Sequence, residues 1–239
     1  MSRMRKLAVA LSVALAVGSL VPAVAASASP NDDITPGSRI IIGHGDGSLS
    51  TCTVGPYVSF GYGDEKRYGA LTAGHCGDAG DIVYRETSDG QREHISNLFA
   101  PVNTTDPTGT RRDYSLLPLD RAYVNPSIEG VYPPRGVVLV RELSAAYQQG
   151  TPVTLCAAGI TTGMRCGPLV EVDATGHIGA RFPSDHGDSG GPVWAKTSDG
   201  IRMVGLLRGN LIRDPSISVV VPIDMPLLAY DAKLVITES

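Results

Sequence analysis

The chain has 239 residues, a formal net charge of −4 and 18% charged residues, enough to bury a sizeable core as one large domain or two small ones. The slight acidity, with no basic run beyond the N-terminus, argues against nucleic acid as a partner. With 28 Gly and 17 Pro, the composition favours many short strands joined by turns over a helical bundle.

At the N-terminus, Arg3, Arg5 and Lys6 precede an Ala/Val/Leu run from Leu7 to Val21. Ala23-Val24-Ala25 and Ala26-Ser27-Ala28 each offer a small-x-small cleavage site. The run is short for a membrane span, and no cysteine follows it to carry a lipid. A signal peptide over residues 1–28 is expected, with a secreted product and no stable membrane association. Export permits disulfides. Cys52, Cys76, Cys156 and Cys166 allow three connectivities. Pairing within each half, Cys52–Cys76 and Cys156–Cys166, is favoured. Neither pair has Cys-x-x-Cys spacing, so zinc is not expected.

Residues 29–39 read as a short linker with Pro36 and Gly37. Strand-like runs follow at Arg39–Gly43, Cys52–Phe60, Tyr68–Ala73, Asp81–Arg85 and Glu93–Phe99, broken by a turn at 61–64. Asn103–Arg112 reads as a polar loop leading into Asp113–Leu119. Pro126, Pro133 and Pro134 mark a link over 123–136 between two halves, 40–122 and 137–239. The second half carries strand-like runs at Val137–Val140, Thr151–Cys156, Leu169–Val172, Val193-Trp194, Met203–Leu207 and Ile217–Val221. Only the end reads as helical, where Leu227, Leu228, Tyr230 and Leu234 follow Pro226. The expected fold is all-β, as two packed β units.

Three segments carry chemistry. His186-Gly187-Asp188-Ser189-Gly190-Gly191-Pro192 sets a serine between glycines, in a turn where its hydroxyl and backbone N–H can face one carbonyl. A hydroxyl is a poor nucleophile until a base takes its proton, and imidazole titrates near neutrality. His75 closes the apolar segment Leu71-Thr72-Ala73-Gly74-His75-Cys76. The base needs a carboxylate to fix its tautomer, and Asp113 stands at the mouth of a strand.

The two strings at Leu71–Cys76 and Gly187–Pro192 resemble those of chymotrypsin-type (trypsin-like) serine proteases. The likeness is greatest to the bacterial secreted branch of streptogrisins and α-lytic protease. Thr51-Cys52-Thr53-Val54-Gly55, Cys156-Ala157-Ala158-Gly159-Ile160-Thr161-Thr162-Gly163 and Pro222-Ile223-Asp224 extend the resemblance over residues 40–239. It implies two packed six-stranded antiparallel β-barrels, a short C-terminal helix and a site in the cleft between them. It implies Ser189 as nucleophile, His75 as general base and then acid, and Asp113 as the group that orients His75. The N–H groups of Gly187 and Ser189 would form the oxyanion hole. The implied activity is a secreted endopeptidase acting on peptide or protein substrates without metal or cofactor, and a monomer is expected. A catalytically silent homologue that binds peptides is the alternative.

The pattern breaks in two places. Asp188 needs a cationic partner, yet the family's arginine position falls at Ala157. Three candidates are a new amine at Ile40 or Ile41 after cleavage at Arg39, Arg165, and Arg181. Around the substrate, the resemblance assigns Pro183, Leu206, Leu207 and Arg208 to the pocket. Pro183 gives no acidic base, and Arg208 either favours an acidic side chain or blocks the pocket. His44, His94, His177 and His186 lack metal-ligand spacing and read as surface or structural residues.

Overall fold

The computed structural model describes residues 34–61, 65–107, 109–120, 125–128 and 133–236. The expected signal peptide lies outside the described residues. The first half contributes β1 (Arg39–Gly43), β2 (Leu49–Thr53), β3 (Tyr57–Phe60), β4 (Arg67–Thr72), β5 (Ile82–Glu86), β6 (Arg92–Asn97), β7 (Phe99–Thr105) and β8 (Arg111–Leu119). The second contributes α1 (Val140–Gln148), β9 (Thr154–Gly159), β10 (Gly163–Val172), β11 (Ile178–Ala180), β12 (Pro192–Thr197), β13 (Gly200–Leu211) and β14 (Asp214–Pro222). The chain closes with α2 (Asp224–Ala229) and β15 (Ala232–Leu234).

β4, β8 and β14 bury consecutive residues and so are covered on both faces, whereas β1 keeps a period of two. In β1, Ile40 and Ile42 are fully buried while Arg39 is exposed. The second half is a closed antiparallel barrel in the order β10-β11-β14-β13-β12-β9. The first half is two antiparallel sheets, β2-β1-β5-β6 and β15-β3-β4-β8-β7, around a core that includes Ile40, Ile42, Val54, Tyr57, Ala70 and Leu117. The all-β, double-barrel expectation holds. A third cluster joins the halves: Val58, Leu71 and Leu116 from the first pack with Cys156, Trp194, Met203, Leu206 and Val221 from the second. Both disulfides form within their halves, Cys52–Cys76 and Cys156–Cys166.

Four sequence expectations change. Cys52–Phe60 is two strands, because Gly55 must pass close to its neighbours. A Cβ there would lie 2.7 Å from the carbonyls of Leu71 and Gly190. The polar loop after Asn103 shrinks to 106–110, since β7 runs on to Thr105 and β8 begins at Arg111. Val137–Val140 is not a strand. Val137 makes one parallel bridge to Met203, and α1 then starts, favoured by the helix formers Glu142, Leu143, Ala145 and Ala146. Glu142 accepts the Leu139 N–H at 2.8 Å at the helix start, and Leu143 is buried against the second barrel. Finally, the second half does not keep its own C-terminus. Leu227 and Tyr230 pack on the core shared by the halves, which delivers β15 antiparallel to the edge of β3 and covers that edge.

Candidate active site

β4 carries Ala70 and Leu71 through the core to Thr72, and a 3-10 turn at Gly74–Cys76 then lifts His75 into the open. Gly74 is required there: a Cβ would lie 2.0 Å from the Val102 carbonyl of β7. The back of the turn is fastened by the Cys52–Cys76 disulfide and by Ser50, whose hydroxyl donates to the Cys76 carbonyl at 3.0 Å. Ser50 also meets His44 Nε2 at 3.0 Å, and His44 Nδ1 meets Asp81 at 2.7 Å. This second Asp–His–Ser string is a brace, because the Ser50 hydroxyl proton is committed to a carbonyl.

Asp113 is the first buried residue of β8, only 1% exposed. Its Oδ1 accepts the backbone N–H of His75 at 2.9 Å, and its Oδ2 accepts the ring Nδ1–H at 2.8 Å. That leaves His75 Nε2 to accept from Ser189 Oγ at 2.9 Å. The structure thus brings His75, Asp113 and Ser189 into one hydrogen-bonded chain. Burial pushes the Asp113 carboxyl up, but the hydrogen bonds and charge of His75 outweigh it, and Arg208 adds to them. The carboxyl ends below its usual range.

Ser189 is held by its neighbour. The Asp188 carboxylate is fully buried and accepts five donors. The N–H groups of Thr161 and Thr162 reach Oδ1 at 2.8 and 3.1 Å. The Thr162 hydroxyl, the Asp185 N–H and Arg165 Nη2 reach Oδ2 at 2.7, 2.9 and 3.0 Å. The ion partner is therefore Arg165, whose side chain is 8% exposed. Arg165 sits on β10 directly across from Ala157 on β9, so the cation has crossed the hairpin. Arg181 pairs instead with Asp214 at 3.6 Å. Ile40 is buried in β1 opposite Cys52, and Asp188 needs no amine from it. Of the three candidates, Arg165 is the one that meets Asp188.

Two threonines set the peptides around Ser189. Thr161 Oγ1 donates to the His186 carbonyl at 2.6 Å, and Thr53 Oγ1 donates to the Gly187 carbonyl at 2.7 Å. A peptide is planar, so holding the His186 carbonyl toward Thr161 turns the Gly187 N–H to the opposite side. Among the described residues, neither the Gly187 nor the Ser189 N–H has a protein acceptor. Gly187 adopts φ +98°, and a Cβ there would lie 2.7 Å from Thr161 Oγ1. A cavity of about 460 Å³ opens at this point, lined by His75, His186, Gly187 and Ser189 from the site and by Arg39 and Thr51 opposite.

The pocket residues fall differently. Leu206 and Leu207 are fully buried, one in the core shared by the halves and one in the second-barrel core. Their side chains do not line the cleft, which corrects that expectation. Only the backbone of Leu207 serves the site, exchanging hydrogen bonds with Gly190 and Gly191 at 2.7 and 2.8 Å. Pro183 is exposed, and its carbonyl takes Arg165 Nε. Asn210 ties to Ser184, donating to its carbonyl at 2.8 Å. Arg208 turns inward, with Nε 2.9 Å from Asp113 Oδ2. His94 meets Asn97, and His177 meets Asp173 and Thr175. Among the described residues no group of three His, Cys, Asp or Glu could hold a metal.

No protein-family model and no curated protein matches the chain. Solved structures do. Protease A from Thermobifida fusca is 23% identical, with a TM-score of 0.61 over 86% of this chain and 100% of that one. The chymotrypsin of Cellulomonas bogoriensis is 22% identical, with a TM-score of 0.57 over 86% and 100%. A Nocardiopsis protease is 19% identical, with a TM-score of 0.57 over 84% and 98%. The chain has the fold of the bacterial chymotrypsin-like serine proteases.

Proposed function

We propose that the chain is a secreted serine endopeptidase that hydrolyses peptide bonds through an acyl-enzyme at Ser189. The observation that carries this reading is the unbroken Asp113–His75–Ser189 chain, with links of 2.8 and 2.9 Å. His75 Nε2 takes the Ser189 proton as Oγ attacks the scissile carbonyl carbon. The resulting oxyanion accepts from the N–H groups of Gly187 and Ser189, where one donor is worth about 10²–10³-fold in rate. His75 then gives its proton to the leaving amine, and the acyl group stays on Oγ. Water repeats the cycle: His75 takes its proton, the ester breaks, and Ser189 recovers the proton. Asp113 holds the tautomer and offsets the imidazolium charge in both halves.

Secretion is supported by the two disulfides, which persist in oxidising compartments. Labelling with a fluorophosphonate tests the reading. Wild-type protein should label and Ser189→Ala should not, with hydrolysis lowered by ~10⁶-fold in the variant, as when a catalytic serine is removed from subtilisin. Folded wild-type protein that takes up no label would be a silent homologue, and the enzyme reading would fall.

A further inference from the structure

Arg208 has no role in the steps just described. Its Nε lies 2.9 Å from Asp113 Oδ2, the same oxygen that accepts from His75 Nδ1 at 2.8 Å. The approach is off the N–H direction, since Arg208 Nε is buried without a hydrogen-bond partner. The contact is therefore ionic, and His75 keeps the directed hydrogen bond. The backbone of Arg208 reaches the site too, its carbonyl lying 3.3 Å from Ser189 Oγ, farther than His75 Nε2 at 2.9 Å, which takes the hydroxyl proton. A guanidinium is cationic at every working pH. Seated on Asp113, it cancels part of the negative charge that a protonated imidazole would feel.

We propose, on the reading that this is a protease site, that Arg208 is a positioning residue: its guanidinium, seated on Asp113, weakens the hold of that carboxylate on the imidazolium that His75 becomes when it takes a proton. On the second half, Glu171, Asp173, His177 and Arg213 share a cavity with Arg208, Arg213 pairing with Glu171 at 2.6 Å and His177 with Asp173 at 3.3 Å. On β8, Arg111 and Arg112 flank Asp113, with Arg112 paired to Asp106 at 3.3 Å. Tyr114 follows them and meets Tyr230 edge-on. β7, packed against β8, has no titratable side chain. Arg39 and His186 line the cavity on the open side of His75. Behind the turn, His44 and Asp81 pair with each other. Arg208 is the charge that touches the carboxylate.

The test is an NMR pH titration of the His75 ring in wild type, Arg208→Gln and Arg208→Lys, assigned by loss of the signal in His75→Gln. Removing a nearby positive charge favours the protonated ring, so the midpoint in Arg208→Gln should rise by about one pH unit. Arg208→Lys keeps the charge and should stay near wild type. Arg208→Met, which keeps the apolar stem, replaces the Gln variant if that one does not fold. Equal midpoints in wild type and the neutral variant would overturn the proposal. The titration needs no turnover, so it is independent of the labelling result. A moved midpoint without labelling rejects the protease and keeps the role of Arg208, whereas labelling with an unmoved midpoint does the reverse.

Discussion

At the scale of single residues, Asp188 and Arg165 show why position matters more than residue type. A carboxylate taken out of water is costly unless paired and hydrogen-bonded. Asp188 meets both conditions through the Thr161-Thr162 turn and one guanidinium. Arg165 is committed as well. Its Nε and Nη1 donate to the carbonyls of Pro183 and Gly163, and its plane lies 5.7 Å from the Phe182 ring. Arg165→Met leaves Asp188 charged, buried and short of its cation. The expected cost is about 3–5 kcal/mol of stability, measurable by urea denaturation, with labelling of Ser189 lost in step. Arg165→Met, Asp188→Asn together should recover part of the stability, because the uncompensated charge is gone.

At the scale of elements, the β9–β10 hairpin connects the buried Arg165–Asp188 pair to Ser189, the proposed nucleophile. Gly159, at the end of β9, lets Asp188 come close: a Cβ would lie 2.4 Å from Oδ1. The Cys156–Cys166 disulfide clamps the same hairpin where the two cysteines face each other across the ladder. Closing so short a loop is worth about 3 kcal/mol by loop entropy. Replacing both cysteines by Ala should lower Tm by several degrees. Labelling should slow more than for loss of Cys52–Cys76, because the turn carrying Thr161 and Thr162 loosens. Equal effects of the two double variants on labelling would contradict this role of the hairpin. The glycines and the Thr-Thr pair were legible in the sequence as a motif. What they hold was not, because Asp188 lies 26 residues from Thr162.

At the scale of the whole molecule, the site depends on the two halves being fixed against each other. His75 and Asp113 belong to the first, and Ser189 to the second. Their shared apolar core leaves little room for the halves to slide. Thr53 crosses the gap beside the site: its hydroxyl donates to the Gly187 carbonyl and accepts the Ile160 N–H at 3.2 Å. Its backbone N–H donates to the Ser189 carbonyl at 2.8 Å. Thr53→Val keeps the volume but leaves a partly buried donor and acceptor unpaired, at the low end of about 1–3 kcal/mol. Stability should fall by that amount, and labelling should slow by about tenfold or more as the Gly187 peptide is freed. Wild-type labelling in Thr53→Val would remove this threonine from the mechanism.

The sequence by itself determined the local things: where most strands and turns fall, that a serine stands between glycines, and that a serine, a histidine and an aspartate are present in a particular order. Those follow from period-2 patterning and turn chemistry, which act over a few residues. It missed α1, whose Val-rich entry imitates a strand, and it left β15 with the wrong half, since strand pairing is decided by what packs nearby. The tertiary structure alone decided which arginine neutralises Asp188, that Leu206 and Leu207 belong to the cores, and that Arg208 sits on Asp113. Each of those is a contact across the hairpin or between strands far apart in the chain. Its energy depends on burial and distance, which no residue carries in its own neighbourhood.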